Sequence, residues 1–313
     1  MNMTQAIVAT SYGGADVLEF RDITTPGPGP GPGQVLINVK AAGVNPIDWK
    51  LYSGAFGTDP DKLPMRLGLE ISGTIAAVGA GVDGLVPGDD VIAAGQIGGY
   101  ATRVIAAADQ VFKKPASLSF NEAAGFLLTG QTAVHLLEAT NVTEGDTVLI
   151  HGAAGGVGLL ATQLAKARGA TVIATASAAR HDQLRGYGAL PVEYGPGLQE
   201  RVSAIGPVDA ALDLVGTDEA ADVSLALVAD KGRIATIAGF GRAASDGFKA
   251  LGGGPGADPG TEIRLAARPE LIRLAGNGEL KVTVDRTYPL SDARQAHEYG
   301  QTGHARGKII LLP

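Results

Sequence analysis

An apolar run near the middle of the chain is followed by a cluster of small residues and then by a helical pattern. The run, Asp146 to Ile150, is typical of a strand. Apolar residues then recur at helical spacing, at Val157, Leu160, Leu164 and Ala167. They predict a helix that starts near Gly156. A second apolar run, TVIATA, follows the helix. A strand, turn, helix and strand in this order are typical of a nucleotide-binding βαβ unit.

The turn between strand and helix carries residues that can hold a pyrophosphate. It reads A-x-G-x-x-G at Ala153, Gly155 and Gly158, with alanine where the usual fingerprint has its first glycine. Gly155 lets the backbone approach a pyrophosphate, Gly158 lets the helix pack close to the strand, and the helix N-terminus attracts negative charge. No Gly-Lys-Ser/Thr triplet follows, so a mononucleotide P-loop is excluded and a dinucleotide site is predicted.

The end of the second strand indicates which dinucleotide is bound. NAD sites place an acidic residue there, about 20 residues beyond the glycines, against the ribose 2′-hydroxyl. This chain has TASAARH instead, with no carboxylate before Asp182. Ser177 can donate a hydrogen bond, and either Arg180 or His181 can pair with a 2′-phosphate. The sequence therefore favours NADP(H). The alternative is that Arg180 only opens a solvated helix.

Composition excludes several classes of protein. The 313 residues are 45% hydrophobic and 18% charged, which is typical of a globular chain. The net charge is −7 and no Lys/Arg cluster occurs, so we predict no nucleic-acid partner. The chain has no cysteine, which excludes disulfides, thiolate catalysis and Cys-ligated metals. The N-terminal segment lacks the pattern of a signal peptide and no apolar run reads as a membrane span, so we expect a cytoplasmic protein.

The chain shows three zones. Residues up to about 120 read as short strands with turn signals, joined by a PGPGPGPG connector from Pro26 to Gly33. From roughly Glu122 to Pro259 strands alternate with helices, which predicts a parallel sheet covered on both faces. The last zone contains a strand, the helix SDARQAHEYGQ and the closing strand GKIILLP.

Several motifs spread over nearly the whole chain resemble one enzyme group. They are YGGADVLEF, AAGVNPIDWKLYSG, PMRLGLEISGTIAAVGAGV, PGDDVIA, GGYATRV, SFNEAAGFLLTGQTA, LIHGAAGGVG and GHARGKIILLP. The chain thereby resembles the zinc-free quinone oxidoreductase (zeta-crystallin-like) group of the medium-chain dehydrogenase/reductase superfamily. The resemblance implies an α/β fold in which a doubly wound Rossmann sheet is inserted into a GroES-like, β-rich catalytic domain. We accordingly expect the catalytic domain at 1–122 and 261–313, the NADP(H)-binding domain at 123–260, and a homodimer.

The same resemblance bears on metal binding. Metal-dependent relatives carry a cysteine near Asn45, a GHE triplet where this chain has GLE, and a lobe of four cysteines. Here Leu69 replaces the histidine, and Glu70 alone cannot build a tetrahedral zinc site. We therefore predict no metal, and hydride transfer from NADPH to an acceptor that is already electrophilic.

The resemblance also implies roles for individual residues. Asn45 and Thr129 would contact the nicotinamide region, and Asn45, Lys50 and Tyr52 are the catalytic candidates, with Phe56 in the substrate pocket. The other expected cofactor contacts are Ala153, Ala154, Gly155, Gly156, Val157, Gly158, Ser177, Arg180, His181, Tyr194, Val215, Gly239, Phe240, Gly241 and Lys308. Asn45 precedes a proline, so the alternative is an ordinary turn residue there.

The function expected from these residues is NADPH-dependent reduction of quinones or activated alkenes (enones). One alternative is an enoyl-thioester reductase. In such relatives a tyrosine two residues after the glycine of this segment assists proton delivery, whereas this chain has Phe56, which has no proton to give. The other alternative is a non-catalytic NADPH-binding protein. A hydrolase is not supported, because no G-x-S-x-G elbow occurs.

Overall fold

The chain folds into two compact units. A computed structural model describes residues 3–24, 29–95 and 98–313, so residues 26–28 of the expected connector lie outside the described residues. Unit 1 comprises Met1–Leu128 and Ile272–Pro313, and unit 2 comprises Thr129–Leu271. The sequence analysis predicts an inserted domain at residues 123–260.

The first segment of unit 1 is rich in strands. Its elements are β1 (Met3–Ala9), β2 (Leu18–Thr24), β3 (Gln34–Val44), α1 (Pro46–Tyr52), β4 (Met65–Arg66), β5 (Glu70–Val78), β6 (Asp90–Ala94), β7 (Arg103–Ala107), β8 (Val111–Lys113) and α2 (Phe120–Ala123). Helix α3 (Leu127–Ala139) begins where this segment ends.

Unit 2 alternates strands with helices, as the sequence predicts. Its elements are β9 (Thr147–His151), α4 (Gly156–Ala167), β10 (Thr171–Thr175), α5 (His181–Gly186), β11 (Leu190–Val192), α6 (Leu198–Ser203), β12 (Ala210–Asp213), α7 (Asp218–Leu227), β13 (Ile234–Thr236), α8 (Phe240–Asp246) and β14 (Lys249–Ala250). Helix α9 (Thr261–Gly276) follows, and the return segment of unit 1 contains β15 (Val284–Pro289), α10 (Ala293–Gln301) and β16 (Lys308–Leu312).

The sheet of unit 2 is parallel, and its strand order is β11-β10-β9-β12-β13-β14. Strands β9, β10 and β11 are added in one direction, after which the chain returns to β12 on the other side of β9. All carboxyl ends meet at one edge, and such a reversal of strand order is where open α/β sheets bind ligands. The turns that follow β9, β10, β12 and β13 are therefore the candidate nucleotide site of this unit.

The larger sheet of unit 1 has the order β15-β16-β3-β5-β6-β8, with β7 also paired to β3. The C-terminal strand β16 runs antiparallel to β3, and Ile309 lies opposite Val44. This register brings Lys308 beside the end of β3, although the two are far apart in sequence. A smaller sheet has the order β2-β1-β4. The apolar core of unit 1 includes residues from both of its segments, such as Ile37, Ile71 and Leu311.

The sequence analysis missed helix α9, and the reason lies in which residues face inward. The buried stripe of this helix includes Arg268 and Leu271, while Ile263 and Leu265 are exposed. Arg268 Nε donates to Gln131 Oε1 at 3.0 Å, so a charged residue occupies a position where helical periodicity expects an apolar one. Hydrophobic patterning therefore fails here although the helix is 16 residues long.

The expected fold class is confirmed: a parallel α/β sheet is inserted into a β-rich unit built mainly from antiparallel strands. In the described ranges, no helix is both long enough and apolar enough to cross a membrane.

Candidate active site

The turn between β9 and α4 has the geometry of a phosphate-binding turn. Gly155 is the N-cap of α4, and its N–H donates to Gly152 O at 3.1 Å. Ala153 N–H donates to Thr175 O at 3.1 Å, which fixes the turn to the end of β10. The N–H groups of the first helical turn have no acceptor within the helix, so they are available to an anion.

Two glycines of this turn have different structural roles. A Cβ atom added at Gly158 would lie 2.6 Å from Ala153 O, within the backbone of the preceding turn. A Cβ atom added at Gly155 would meet only Gly152 O, at the ordinary contact distance of 3.5 Å. Gly158 is therefore required for the helix to pack on the turn, whereas the space beside Gly155 is free for a ligand.

The residues expected at the 2′-phosphate lie in the turn after β10. Arg180 N–H donates to Ser177 O at 2.9 Å, so the two residues close one tight turn. His181 Nε2 lies 3.2 Å from Ala176 O, and because a carbonyl only accepts, this nitrogen carries the proton and donates. The ring is thereby tied to the protein backbone. This contact favours Arg180 over His181 as the partner of a 2′-phosphate.

The loop that carries Tyr194 follows β11, and Arg201 holds it in shape. The guanidinium of Arg201 donates to Glu193 O at 2.8 Å, to Gly195 O at 2.8 Å and to Pro196 O at 2.7 Å. Tyr194 itself is exposed. The loop after β10 is its neighbour, because Ala176 N–H donates to Val192 O at 3.0 Å.

Asp213, at the end of β12, organises two of the expected cofactor loops, and the sequence analysis did not single it out. Its side chain is buried and accepts from Val215 N–H at 3.0 Å and from Thr236 Oγ1 at 2.7 Å. Thr236 Oγ1 in turn accepts from Gly239 N–H at 2.8 Å. An acidic residue that ends a buried apolar strand, as in ALDLVG, is the signal that could have indicated it.

The remaining expected contacts of unit 2 lie along the same edge of the sheet or in helix α3. Gly239 is the N-cap of α8, which Phe240 and Gly241 open. The Phe240 ring packs on Gly254, where a Cβ atom would lie 2.6 Å from the ring. Thr129 lies in the first turn of α3 and is buried.

In unit 1, Asn45, Glu70 and Lys308 form one buried polar cluster. The Lys308 ammonium contacts Glu70 Oε1 at 2.8 Å and donates to Asn45 Oδ1 and to Val44 O. Asn45 Nδ2 donates to Glu70 Oε1 at 3.0 Å. Lysine has three donor hydrogens, and these three acceptors use all of them. Lys308 is thus a buried partner of Asn45 and Glu70, and its expected contact with the cofactor stays a prediction.

A second buried network connects Asn45 with helix α10. The Tyr100 hydroxyl donates to Asp48 Oδ2 at 2.8 Å, so its oxygen accepts from His297 Nε2–H at 3.1 Å. His297 Nδ1 then accepts from the Tyr52 hydroxyl at 3.0 Å. Asp48 Oδ2 also accepts from Asn45 N–H at 2.9 Å, which completes the capping box of α1. The chain of hydrogen bonds from Tyr52 through His297 and Tyr100 therefore ends on the Asp48 carboxylate.

Burial sets the pKa values in this network. It raises the pKa of Asp48 to about 6, because a charged carboxylate loses its hydration there. It lowers the pKa of His297 to about 4, and the neutral ring is the form that the hydrogen-bond directions require. Burial, together with the charge of Asp48, raises the pKa of the Tyr52 hydroxyl to about 12.

The candidate residues Lys50, Tyr52 and Phe56 of unit 1 differ in their burial and in their contacts. The Tyr52 side chain is part of the buried core and its hydroxyl is bound to His297, while its catalytic role stays a prediction. Lys50 is half-buried, and burial lowers the pKa of its ammonium. Phe56 is exposed.

The residues at the position where metal-dependent relatives bind zinc do not fit this ion. Asn45 and Leu69 stand where metal-dependent relatives have ligands, and Lys308 already places a positive charge on Glu70. A zinc ion needs thiolate, imidazole or carboxylate ligands that are free to coordinate it. Across residues 3–24, 29–95 and 98–313, no group of three acidic or histidine side chains could hold a metal ion.

Comparison with known proteins matches two stretches of the chain to dehydrogenase families. The family "Alcohol dehydrogenase GroES-like domain" matches residues 31–116, and the family "Zinc-binding dehydrogenase" matches residues 187–311. The quinone oxidoreductase of Sus scrofa is 31% identical over 328 residues, which cover 99% of this chain and 98% of the relative. The chain belongs to the quinone oxidoreductase group of the medium-chain dehydrogenase/reductase superfamily.

Two further relatives carry information about cofactor and acceptor in their names. A chloroplastic NADPH-dependent alkenal/one oxidoreductase of Arabidopsis thaliana is 30% identical, covering 99% of this chain and 79% of the relative. The structure of the Escherichia coli quinone oxidoreductase complexed with NADPH has a TM-score of 0.85 and 30% identity. It covers 99% of this chain and 100% of that one.

The different surroundings of the two glycines predict different effects of alanine. Gly158→Ala is expected to lower the free energy of unfolding by about 1–3 kcal/mol, because the added methyl group overlaps the backbone. Gly155→Ala is expected to leave thermal stability close to that of the parent and to weaken NADPH binding. Thermal unfolding without cofactor and fluorescence titration with NADPH measure the two effects. Equal losses of stability in both variants would contradict these roles.

The buried histidine predicts a specific dependence of stability on pH. Between pH 6.5 and about 4 the unfolded chain protonates His297 and the folded chain does not. As the pH decreases through this range, the titration of His297 therefore lowers the free energy of unfolding by up to about 1.4 kcal/mol per pH unit. Asp48 has the opposite effect: between about pH 6 and 3.8 its carboxyl group is protonated in the folded state and not in the unfolded chain, so its titration raises the free energy of unfolding as the pH decreases.

Urea unfolding at several pH values tests both contributions. His297→Gln is expected to lose stability less steeply than the parent as the pH falls from 6.5 to 4. Asp48→Asn is expected to lose stability more steeply than the parent over the same pH range. Parallel stability curves for the parent and both variants would rule out the titrations assigned to these two groups.

Proposed function

We propose that this chain is an NADPH-dependent reductase that transfers a hydride directly to a quinone or an activated alkene without a metal. The names of the pig, plant and Escherichia coli relatives support this class of reaction. The residue set of unit 1 supports the absence of metal, because an ammonium group occupies the carboxylate that a zinc site would need.

NADPH fits the turns at the carboxyl edge of the parallel sheet in unit 2. The turn from Ala153 to Gly158 would hold the pyrophosphate on free N–H groups, as helix N-termini do for anions. The loops after β12 and β13, which contain Val215 and Gly239–Gly241, would border the cofactor. NADPH supplies the hydride when bound, and the chain supplies position and electrostatic surroundings.

One observation carries the preference for NADPH over NADH. The turn after β10 contains Ser177 and Arg180 and lacks a carboxylate, which would repel a 2′-phosphate. His181 is tied to Ala176 O, so Arg180 is the cation that we assign to the phosphate. Arg201 supports the same site indirectly, because it fixes the loop of Tyr194.

Arg180→Ala is expected to weaken NADPH binding at least tenfold and to leave NADH binding unchanged. A charge-assisted hydrogen bond contributes about 1.5–3 kcal/mol, which corresponds to about tenfold or more in affinity. The parent should bind NADPH more tightly than NADH by at least this factor. Dissociation constants of both cofactors, measured by fluorescence titration, provide the test.

Arg185→Ala is the matched control, because Arg185 is an exposed arginine of the neighbouring helix whose ion pair is with Asp182. It should leave both dissociation constants unchanged. Equal affinities of the parent for NADPH and NADH, or an equal effect of both arginine variants, would refute the assignment of Arg180.

The choice of acceptor depends on whether the chain can supply a proton. An enoyl thioester needs a placed acid after hydride transfer, and loss of general acid catalysis costs about 10²–10⁴-fold in rate. Phe56 has no proton to give, and the Tyr52 hydroxyl is buried and bound to His297. Lys50 is the remaining candidate acid among the three residues. The reduced oxygen of a quinone is a stabilised anion that can take its proton from water.

We therefore expect a simple quinone or a small enone to be reduced faster than crotonyl thioester. The measurement is kcat/KM with NADPH for 1,4-benzoquinone and for crotonyl-CoA. Lys50→Met should lower the thioester rate more than the quinone rate if Lys50 acts as an acid. A clear preference of the parent for the thioester would replace this proposal by the enoyl-reductase alternative.

The alternative of a non-catalytic protein has its own signature. Such a protein would bind NADPH and oxidise it with none of the quinones, enones or enoyl thioesters. The homodimer, the cytoplasmic location and the domain boundaries at residues 122 and 260 stay predictions from the resemblance and the sequence pattern.

A further inference from the structure

The Glu70 carboxylate joins three segments of unit 1 that are distant in sequence. Its Oε1 atom accepts from Lys308 Nζ at 2.8 Å and from Asn45 Nδ2 at 3.0 Å. Its Oε2 atom accepts from Leu128 N–H at 2.9 Å. The side chain is completely buried. One carboxylate therefore connects the start of α1, the start of α3 and the start of β16.

Two of these contacts lead directly to residues expected at the nicotinamide. Asn45 is one of them, and Thr129, the other, is the residue that follows Leu128. The Asn45 amide is oriented by the cluster, because its oxygen accepts from Lys308 and its nitrogen donates to Glu70. A rotation of the amide by half a turn would bring its NH₂ group against an ammonium, so only one orientation is compatible with the cluster.

The backbone beside Glu70 leaves space for this arrangement. Gly43 lies in β3, and a Cβ atom added there would be 2.7 Å from Glu70 Oε1 and would overlap Ala124 O. Any larger residue at this position would displace the carboxylate. The location of the carboxylate is thus fixed by a close approach of backbone as well as by its three donors.

Stability alone does not account for a buried ion pair. Removing a lysine and a glutamate from water is costly, and an apolar pair of similar volume is often as stable. The pair does give a defined geometry to the groups that surround it. We propose that Glu70 is a positioning residue for hydride transfer, which holds Asn45 and the chain at Leu128 in the geometry that the nicotinamide requires. This inference rests on the proposed function.

The experiment compares binding of whole NADPH with binding of 2′,5′-ADP, which lacks the nicotinamide. Glu70→Gln removes the charge and one acceptor oxygen while keeping the volume. It is expected to weaken NADPH binding by about 3- to 10-fold, the value of a lost hydrogen bond, and to leave 2′,5′-ADP binding unchanged. It is also expected to lower kcat with 1,4-benzoquinone by about 10- to 100-fold, since small misplacements of reacting groups have effects of that order.

Two sets of variants separate positioning from general destabilisation. Lys308→Arg retains the cation and should retain more of kcat than Lys308→Met. Asp146→Asn breaks another partly buried ion pair, between Asp146 and Arg233 at 2.7 Å in unit 2. That variant should lower the melting temperature without changing kcat or the NADPH to 2′,5′-ADP affinity ratio.

The outcomes distinguish this inference from the proposed function. A Glu70→Gln protein with the parent's affinity ratio overturns the positioning role, whatever its rate. A changed NADPH to 2′,5′-ADP affinity ratio in Glu70→Gln supports the positioning role. If the parent at the same time oxidises NADPH with none of the acceptors, only the proposed function is refuted. A loss of kcat in Asp146→Asn equal to that in Glu70→Gln would also overturn it.

Discussion

The buried pairing of Lys308 with Glu70 is the interaction on which the polar centre of unit 1 depends. A lysine ammonium in the interior must have an anionic partner and acceptors for all its hydrogens. Glu70 supplies the charge, and Asn45 and Val44 supply the other acceptors. Because the lysine enters on the C-terminal strand β16, the last residues of the chain are needed to complete a centre whose other members lie near its beginning.

Buried carboxylates organise both units in the same way. Asp48 accepts hydrogen bonds from the N–H of Asn45 and the hydroxyl of Tyr100. Asp213 accepts hydrogen bonds from the N–H of Val215 and the hydroxyl of Thr236. An ionised carboxylate accepts several hydrogen bonds at once, so it can fix the start of a helix or a loop without further covalent constraint. In a chain without cysteine, such acceptors hold loops in place where disulfides are not available.

Asn45 and Leu69, together with the Lys308 ammonium on Glu70, fit one chemical interpretation. A Lewis acid helps to form or stabilise an alkoxide, whereas a quinone or enone is electrophilic without it. Tyr52 is buried and Phe56 has no proton to give, so Lys50 is the remaining candidate acid of these three residues. Acceptors whose reduced form takes a proton from water therefore suit this set of residues best.

The resemblance implied the insertion of a Rossmann sheet into a β-rich domain. The sequence pattern by itself determined the alternation of strands and helices in unit 2 and the glycine turn before α4. These features follow from local periodicity and from glycine positions, which are properties of neighbouring residues. The sequence did not indicate helix α9, because Arg268 lies on its buried face and finds its partner, Gln131, far away in the chain.

The tertiary structure decided which polar residues are free to act. The resemblance implied a cofactor contact for Lys308 and a catalytic role for Tyr52. Their donors are used by Glu70 and His297, which lie 238 and 245 residues away in sequence. Only folding brings such partners together, so the availability of a side chain for chemistry was decided by packing and not by its type or spacing.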